Sequence, residues 1–238
     1  MKITEYSLSG PDFDIALITD VHERNLNRIL GILSERRPEL ILITGDMTDR
    51  MYSNRLREKT LEGFKAIAAI GRTFFSLGNH EKDLGEKELA LISETGATVL
   101  DNSWVSLGED IWLGGMSSLA YRNTDGHERR DHSGFLDAFC SLGGYKILMC
   151  HHPEYYERYL KGMDIDLILS GHVHGGQWRF FDRGVYAPGQ GLWPKYTKGV
   201  YEGRLVVSAG CSNSAPVPRL FNPKEVVLIT VRGKNTLA

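Results

Sequence analysis

The sequence predicts an α/β fold with two stacked sheets inside and helices outside, and three observations carry the prediction. Over the first two thirds of the chain, short apolar runs rich in Ile, Leu and Phe alternate with longer amphipathic stretches, the order of a sheet covered by helices. The runs are near-continuous, as in strands buried on both faces. After His174 the texture changes to a stretch rich in Gly and aromatic residues, Gly175 to Pro194, with no helical period.

In chain order, the first strand is Phe13 to Thr19. Leu26, Ile29, Leu30 and Leu33 then repeat at helical spacing, and Pro38 closes that helix. Leu40 to Thr44 is the next strand, followed by a helical stripe of Leu61, Phe64 and Ala68, with Leu56 a looser member. Thr73 to Leu77, Lys146 to Cys150 and Asp166 to Leu169 complete the clearest strands. Leu205 to Ser208 and Val226 to Val231 also read as strands, expected in a second, more antiparallel sheet. No Pro/Ser-rich linker, low-complexity run or repeat divides residues 1–238, so one domain is expected.

Composition narrows the function. With 238 residues, 42% hydrophobic and 24% charged, the chain has globular usage and enough length for a sizeable core. Its net charge of −2 shows no overall basic excess, so nucleic acid is not an expected partner and only a local basic patch is left open. Cys140, Cys150 and Cys211 form no Cys-x-x-Cys pair and read as core thiols in a reducing compartment. Met1 to Asp12 lacks secretory-signal features, and no apolar run reaches transmembrane length. A cytoplasmic location is therefore expected, with peripheral membrane association left open.

The chemistry lies where the strands end. Asp20 and His22, Asp46, Asn79 and His80, His151 and His152, and His172 and His174 each follow a strand, at the C-terminal edge where α/β sheets bind ligands. Gly45, Gly78 and Gly171 precede three of these groups and suit sharp turns into one crevice. Any single His-x-His pair is weak evidence. Five strand ends offering Asp, Asn or His are hard to obtain from packing alone, because such groups are rarely buried without partners.

In order, Asp20-Val21-His22, Gly45-Asp46-Met47-Thr48-Asp49, Gly78-Asn79-His80-Glu81, His151 and Gly171-His172-Val173-His174 resemble the motif set of the calcineurin-like binuclear metallophosphoesterases. The resemblance implies a four-layer αββα sandwich: two stacked mixed sheets flanked by helices, with two divalent metal ions at the ends of the central strands. One ion is expected between Asp20, His22, Asp46 and His174, the other between Asp46, Asn79, His151 and His172, with Asp46 bridging. The residue pattern agrees, since a carboxylate has two oxygens for two cations. Asp20 and His22, at i and i+2, would project the same way from an extended segment, as would His172 and His174.

By the same resemblance, a metal-bridging hydroxide is the nucleophile, His80 is proton donor or phosphate contact, and Asp49 orients His80. The bland alternative for Asp49 is a helix N-cap. Of the doublet, His151 is the expected ligand, because the subgroup pattern His-x-Pro sets the register at Pro153. His152 is expected at the cleft rim or in solvent, since neighbours in an extended segment point opposite ways. His127 and His132 read as residues of a solvated loop.

Arg24, Arg122 and Arg219 are candidates to grip a phosphate, Arg24 and Arg219 foremost. Oxygen and imidazole ligands without thiolate allow manganese, iron or zinc. Trp178, Phe180, Phe181, Tyr186, Trp193 and Tyr196 read either as an apolar groove or as core. His174-Gly175-Gly176-Gln177, Pro218-Arg219 and Asn222-Pro223-Lys224-Glu225 look like a bacterial subgroup that includes phosphodiesterases and nucleotide-lipid pyrophosphatases. The expected function is therefore a metal-dependent phosphoesterase that cleaves a phosphodiester or pyrophosphate bond in a small phosphate ester. The alternatives are a phosphomonoesterase and a catalytically silent binding scaffold of the same fold.

Overall fold

The computed structural model describes residues 1–49, 56–118 and 132–233. The strands are β1 (Lys2–Ser9), β2 (Phe13–Ile18), β3 (Leu40–Thr44), β4 (Arg72–Ser76), β5 (Thr98–Leu100), β6 (Ser103–Gly108), β7 (Ile111–Met116), β8 (Tyr145–Cys150) and β9 (Leu167–Ser170). Short pairs β10 (Arg179–Phe180) with β11 (Arg183–Gly184), and β12 (Tyr186–Ala187) with β13 (Gly191–Leu192), precede β14 (Gly199–Tyr201), β15 (Leu205–Val207) and β16 (Glu225–Arg232). The helices are α1 (Leu26–Arg36), α2 (Glu58–Ala68), α3 (Glu86–Glu94) and α4 (Ser133–Cys140).

Two six-stranded sheets form, in the orders β1-β16-β2-β3-β4-β5 and β14-β15-β9-β8-β7-β6. Period-two alternation explains the apolar runs. Ile15, Leu17, Leu40, Leu42 and Phe74 turn inward to meet Leu113, Ile147, Met149, Leu167 and Val206 of the second sheet. Their neighbours Ala16, Ile18, Ile41, Ile43 and Phe75 face Ile29 and Leu33 of α1 and Phe64 and Ile67 of α2. On the far side, Leu148, Cys150, Ile168, Leu205 and Val207 face Phe135 and Phe139 of α4 and Tyr156. Helices, sheet, sheet and helix make four layers. Each fully buried Leu, Ile or Phe contributes about 1.5–3 kcal/mol to holding them together.

Local signals set the element ends. Arg37, in the left-handed conformation at φ 45°, donates its N–H to Leu33 O at 2.8 Å and ends α1 just before Pro38. Correcting the expectation for the C-terminal part, β16 lies in the first sheet, parallel to β1 and antiparallel to β2. β15 runs parallel to β9 in the second sheet, whose antiparallel pairs are β14 with β15 and β6 with β7. A buried apolar run fits either sheet equally well, so its pattern carries no information on which sheet it joins. Among the described residues, no helix is long and apolar enough to cross a membrane.

Candidate metal centre

The loops leaving β2, β3, β4, β8 and β9 converge at one edge of the two sheets. Backbone bonds lace them together: Asp20 N–H to Gly45 O (3.2 Å), His22 N–H to Asp46 O (3.0 Å) and Gly171 N–H to His151 O (3.0 Å). The reason the side chains meet differs from the expected one. Asp20, His22, Asp46, His172 and His174 all have positive φ, between 46° and 67°, so the paired ligands sit on curled backbone and not on extended segments. Left-handed conformations of this kind cost about 1–2 kcal/mol each for residues with a Cβ. Gly78 and Gly171 serve close approach: a Cβ on Gly78 would strike the Asp46 carboxylate, and one on Gly171 would strike Thr19 and Asp20.

Of four donor groups among the described residues, which include His22, Asp46 and His80 and also His152, Glu154 and His172, two adjoining ones match the expected ligand sets. Asp20, His22 and His174 offer donor atoms within 4.8 Å of one another, and so do Asp46, His151 and His172. Asp46 Oδ2 lies 3.2 Å from His151 Nε2 and 3.8 Å from both His22 Nε2 and His80 Nε2, which sets it between the groups. Asn79 stands on the turn after β4, and the Asp46 carboxylate accepts the His80 N–H at 2.9 Å.

The residues fit a cation. His22 Nε2, His151 Nε2 and Asn79 Oδ1 are buried with no hydrogen-bond partner. His22 Nδ1 faces Thr48 O at 3.1 Å and His151 Nδ1 faces Thr44 O at 2.8 Å. A carbonyl only accepts, so each Nδ1 carries a proton and each Nε2 is the atom turned into the site. Burial pushes His22 down to about 4 and, with the Arg219 charge, His174 down to about 3. Burial and the neighbouring His152 and His151 also hold His172 well below its ordinary value. These rings stay neutral, as metal ligation requires. Burial opposes charge on His151 too, but Asp46 lifts it to about 10; Asp46 is held low by the same ring.

The remaining predicted residues lie around this centre. His80 has 18% side-chain exposure against 12% for His174 and 0% for His22 and His151, so it reaches the open side. Asp49 is fully buried and accepts from Arg24 Nη2 at 3.1 Å, while Arg24 Nη1 donates to Asn213 O at 2.5 Å. The N-cap of α2 is Arg57, not Asp49. Arg219 Nη2 lies 2.9 Å from His174 Nδ1, and its Nε and Nη1 are buried without partners. Arg122 and His127 lie outside the described residues.

Two histidine expectations are corrected. His132 is buried at the start of α4, not solvated. His152 is neither at a cleft rim nor in solvent: its exposure is 3%, its ring lies 5.2 Å from that of His151 and 4.0 Å from that of His172, so the doublet does not splay as in an extended segment. His152 Nε2 meets Ser118 Oγ at 2.5 Å and its Nδ1 meets Glu154 Oε1 at 3.1 Å.

Sequence reasoning missed Ser118, Glu154 and Glu81. His152-x-Glu154 was a readable hint, since a carboxylate two residues from a buried histidine commonly orients it. Glu154→Gln is expected to weaken cation binding about ten- to a hundredfold by loosening the support behind His172. Chelator competition on folded protein measures this.

Comparison with known proteins agrees with the geometry. The family model described as calcineurin-like phosphoesterase matches residues 13–176. An uncharacterized metallophosphoesterase of Campylobacter jejuni is 29% identical over 94% of this chain and 60% of its own length. Another from Aquifex aeolicus is 27% identical over 97% of this chain and 89% of its own. The chain thus spans three fifths of the first relative and most of the second. A solved protein of Thermus thermophilus shares the fold at a TM-score of 0.50 and 11% identity, over 67% of this chain and 81% of that one. A match running from the first residue of β2 past the last histidine pair places this chain in the calcineurin-like phosphoesterase family.

Proposed function

We propose that this protein hydrolyses a phosphodiester or pyrophosphate bond in a small phosphate ester, using two divalent cations held by Asp20, His22, Asp46 and His174 and by Asp46, Asn79, His151 and His172. The observation that carries the reading is the pair of adjoining buried donor groups with Asp46 between them. Bound there, two cations would neutralise phosphate charge and acidify the attacking water. The donor set of carboxylate, amide oxygen and imidazole suits manganese or iron in at least one position and allows zinc.

The chain's own residues supply the rest. The His80 backbone is pinned to Asp46 and its ring is partly open to solvent, which suits it to protonate the leaving oxygen or to hold the phosphate. Arg219 brings two buried nitrogens without partners, Nε and Nη1, to the His174 side of the cleft, where an anionic ester would satisfy them. Arg24 already gives its donors to Asn213 and Asp49, so its part is to fix Asp49, and Arg219 is the stronger phosphate contact.

The test uses metal-depleted protein reloaded with manganese or zinc, assayed on bis-p-nitrophenyl phosphate and p-nitrophenyl phosphate. Activity is expected only after reloading and faster on the diester. Faster monoester cleavage would replace this reading with a phosphomonoesterase, and two bound ions without turnover of either compound would point to a silent scaffold.

A further inference from the structure

Three large aromatic residues occupy positions that disfavour them twice over. Phe181, Trp193 and Phe221 have φ of 48°, 53° and 52°, a conformation suited to Gly or Asn and costly for bulky side chains. They are also exposed, at 101%, 66% and 74%. Phe181 and Asp182 form the two-residue tip between β10 and β11, both at positive φ, where Asn-Gly is the usual solution. With its side chain wholly in solvent, Phe181 gains nothing from packing within the chain to offset this.

The three tips belong to one connected rim. Arg179 N–H bonds to Leu220 O at 3.0 Å, and the Phe180 and Phe221 rings lie 5.9 Å apart. Val185 N–H bonds to Trp178 O and Trp193 N–H to Val185 O, both at 2.9 Å. The same rim borders the candidate metal centre, since Asn222 Nδ2 donates to His174 O at 2.6 Å and Arg219 touches the His174 ring.

Charge points to the occupant. In a chain of net charge −2, the rim segments 174–200 and 212–224 carry six basic residues and one acid, Asp182, although Arg179 and Arg219 turn inward and leave Arg183, Lys195, Lys198 and Lys224 toward the surface. Lys195 and Lys198 are paired with Glu157 and Glu225, while exposed Arg183 makes no ion pair among the described residues. Arg183, Trp193 and Lys195 line one shallow cleft beside the hairpin. Like charge disfavours a second copy of this rim as the partner. Protruding Trp and Phe tips backed by Arg and Lys match an anionic lipid surface, with rings entering the acyl boundary and cations at the phosphates.

We infer that this rim docks the protein on an anionic bilayer, with Phe181, Trp193 and Phe221 as inserted anchors and the metal centre held at the lipid surface. The inference does not depend on which ester is hydrolysed.

The test is sedimentation of the full chain with phosphatidylcholine vesicles, with and without phosphatidylglycerol, for the unaltered protein, Phe181→Asn and Trp193→Asn. Binding is expected to require phosphatidylglycerol and to fall about tenfold in each variant. Asn suits both backbone positions, so melting temperatures should hold or rise, and hydrolysis of soluble diester should be unchanged. Brominated lipid should quench tryptophan fluorescence of the unaltered protein. Absence of vesicle binding, or binding undiminished in both variants, would overturn the inference. Binding indifferent to phosphatidylglycerol would overturn its anionic part, and a concentration-dependent dimer lost in the variants would make the rim a self-association surface.

Discussion

Asp46→Asn is expected to lower metal-dependent phosphoester hydrolysis by about a thousandfold or more while the protein stays folded. The substitution keeps shape, and an amide oxygen at Oδ1 still accepts the His80 N–H that the carboxylate takes at 2.9 Å. What changes is the atom facing the rings. Asp46 Oδ2 lies 3.2 Å from His151 Nε2 and 3.8 Å from His22 Nε2. An NH2 group in that place is a donor, so it repels a cation and can occupy the His151 lone pair. The loss of charge acts further, because Asp46 is what lifts His151 to about 10 against burial; in the variant that ring becomes a neutral acceptor for the new amide. Cation-based stabilisation worth several kcal/mol corresponds to about three orders of magnitude in rate. Diester hydrolysis and metal analysis on the same sample check both halves, with stoichiometry expected to drop from two ions to one or none. Two retained ions with activity within about tenfold of the unaltered protein would remove Asp46 from the centre of the proposal.

Much of this site was legible in the sequence because its scaffold is buried on both faces. Runs such as Leu40–Thr44 admit little but strand, and each ends where a polar residue begins. The observed β2, β4, β8 and β9 start or stop within one residue of the reading, as expected when burial alone sets their length. Strands β1 and β6 escaped notice because they are half exposed and mix Lys, Glu and Ser into the pattern. The sheet that β16 joins depends on long-range pairing with Lys2–Ser9, which no local pattern records. His152 was misjudged for a related reason. Period two stops applying where β8 ends at Cys150, the two rings lie only 5.2 Å apart, and the burial of His152 depends on Ser118, 34 residues away. The aromatic residues after His174 divided in the same way, with Tyr196 at 2% exposure and Phe181 at 101%; hydrophobicity alone does not distinguish a core ring from a presented one.

Glu81→Ala is the substitution expected to cost the most stability, although sequence reasoning gave this residue no role. Its side chain is fully buried and accepts three amide hydrogen bonds, from Gly78 N–H at 2.8 Å, Asp46 N–H at 2.9 Å and Thr48 N–H at 3.0 Å, and it shares the Thr48 hydroxyl, at 3.1 Å, with His80 O. It thereby ties the loop after β3 to the loop after β4, and these carry Asp46 and Asn79. Burial and then the Asp46 charge push its carboxyl up, while the amides of Thr48 and Asp46 pull the other way. Three amides point hydrogens at it, so the site is built for an acceptor. Removing the carboxylate strands three buried amide donors at about 1–3 kcal/mol each, less than additively because the loops relax together. A total loss of about 3–5 kcal/mol is expected. Glu81→Gln should cost less, since its carbonyl still serves one pair of donors while its NH2 opposes the other pair. Urea unfolding of metal-free protein measures both variants without the added stability that cation binding confers. A midpoint that barely moves in Glu81→Ala would mean that the backbone ties hold the ligand loops without it. The expected large loss would instead show that a residue touching no cation sets the geometry available to one.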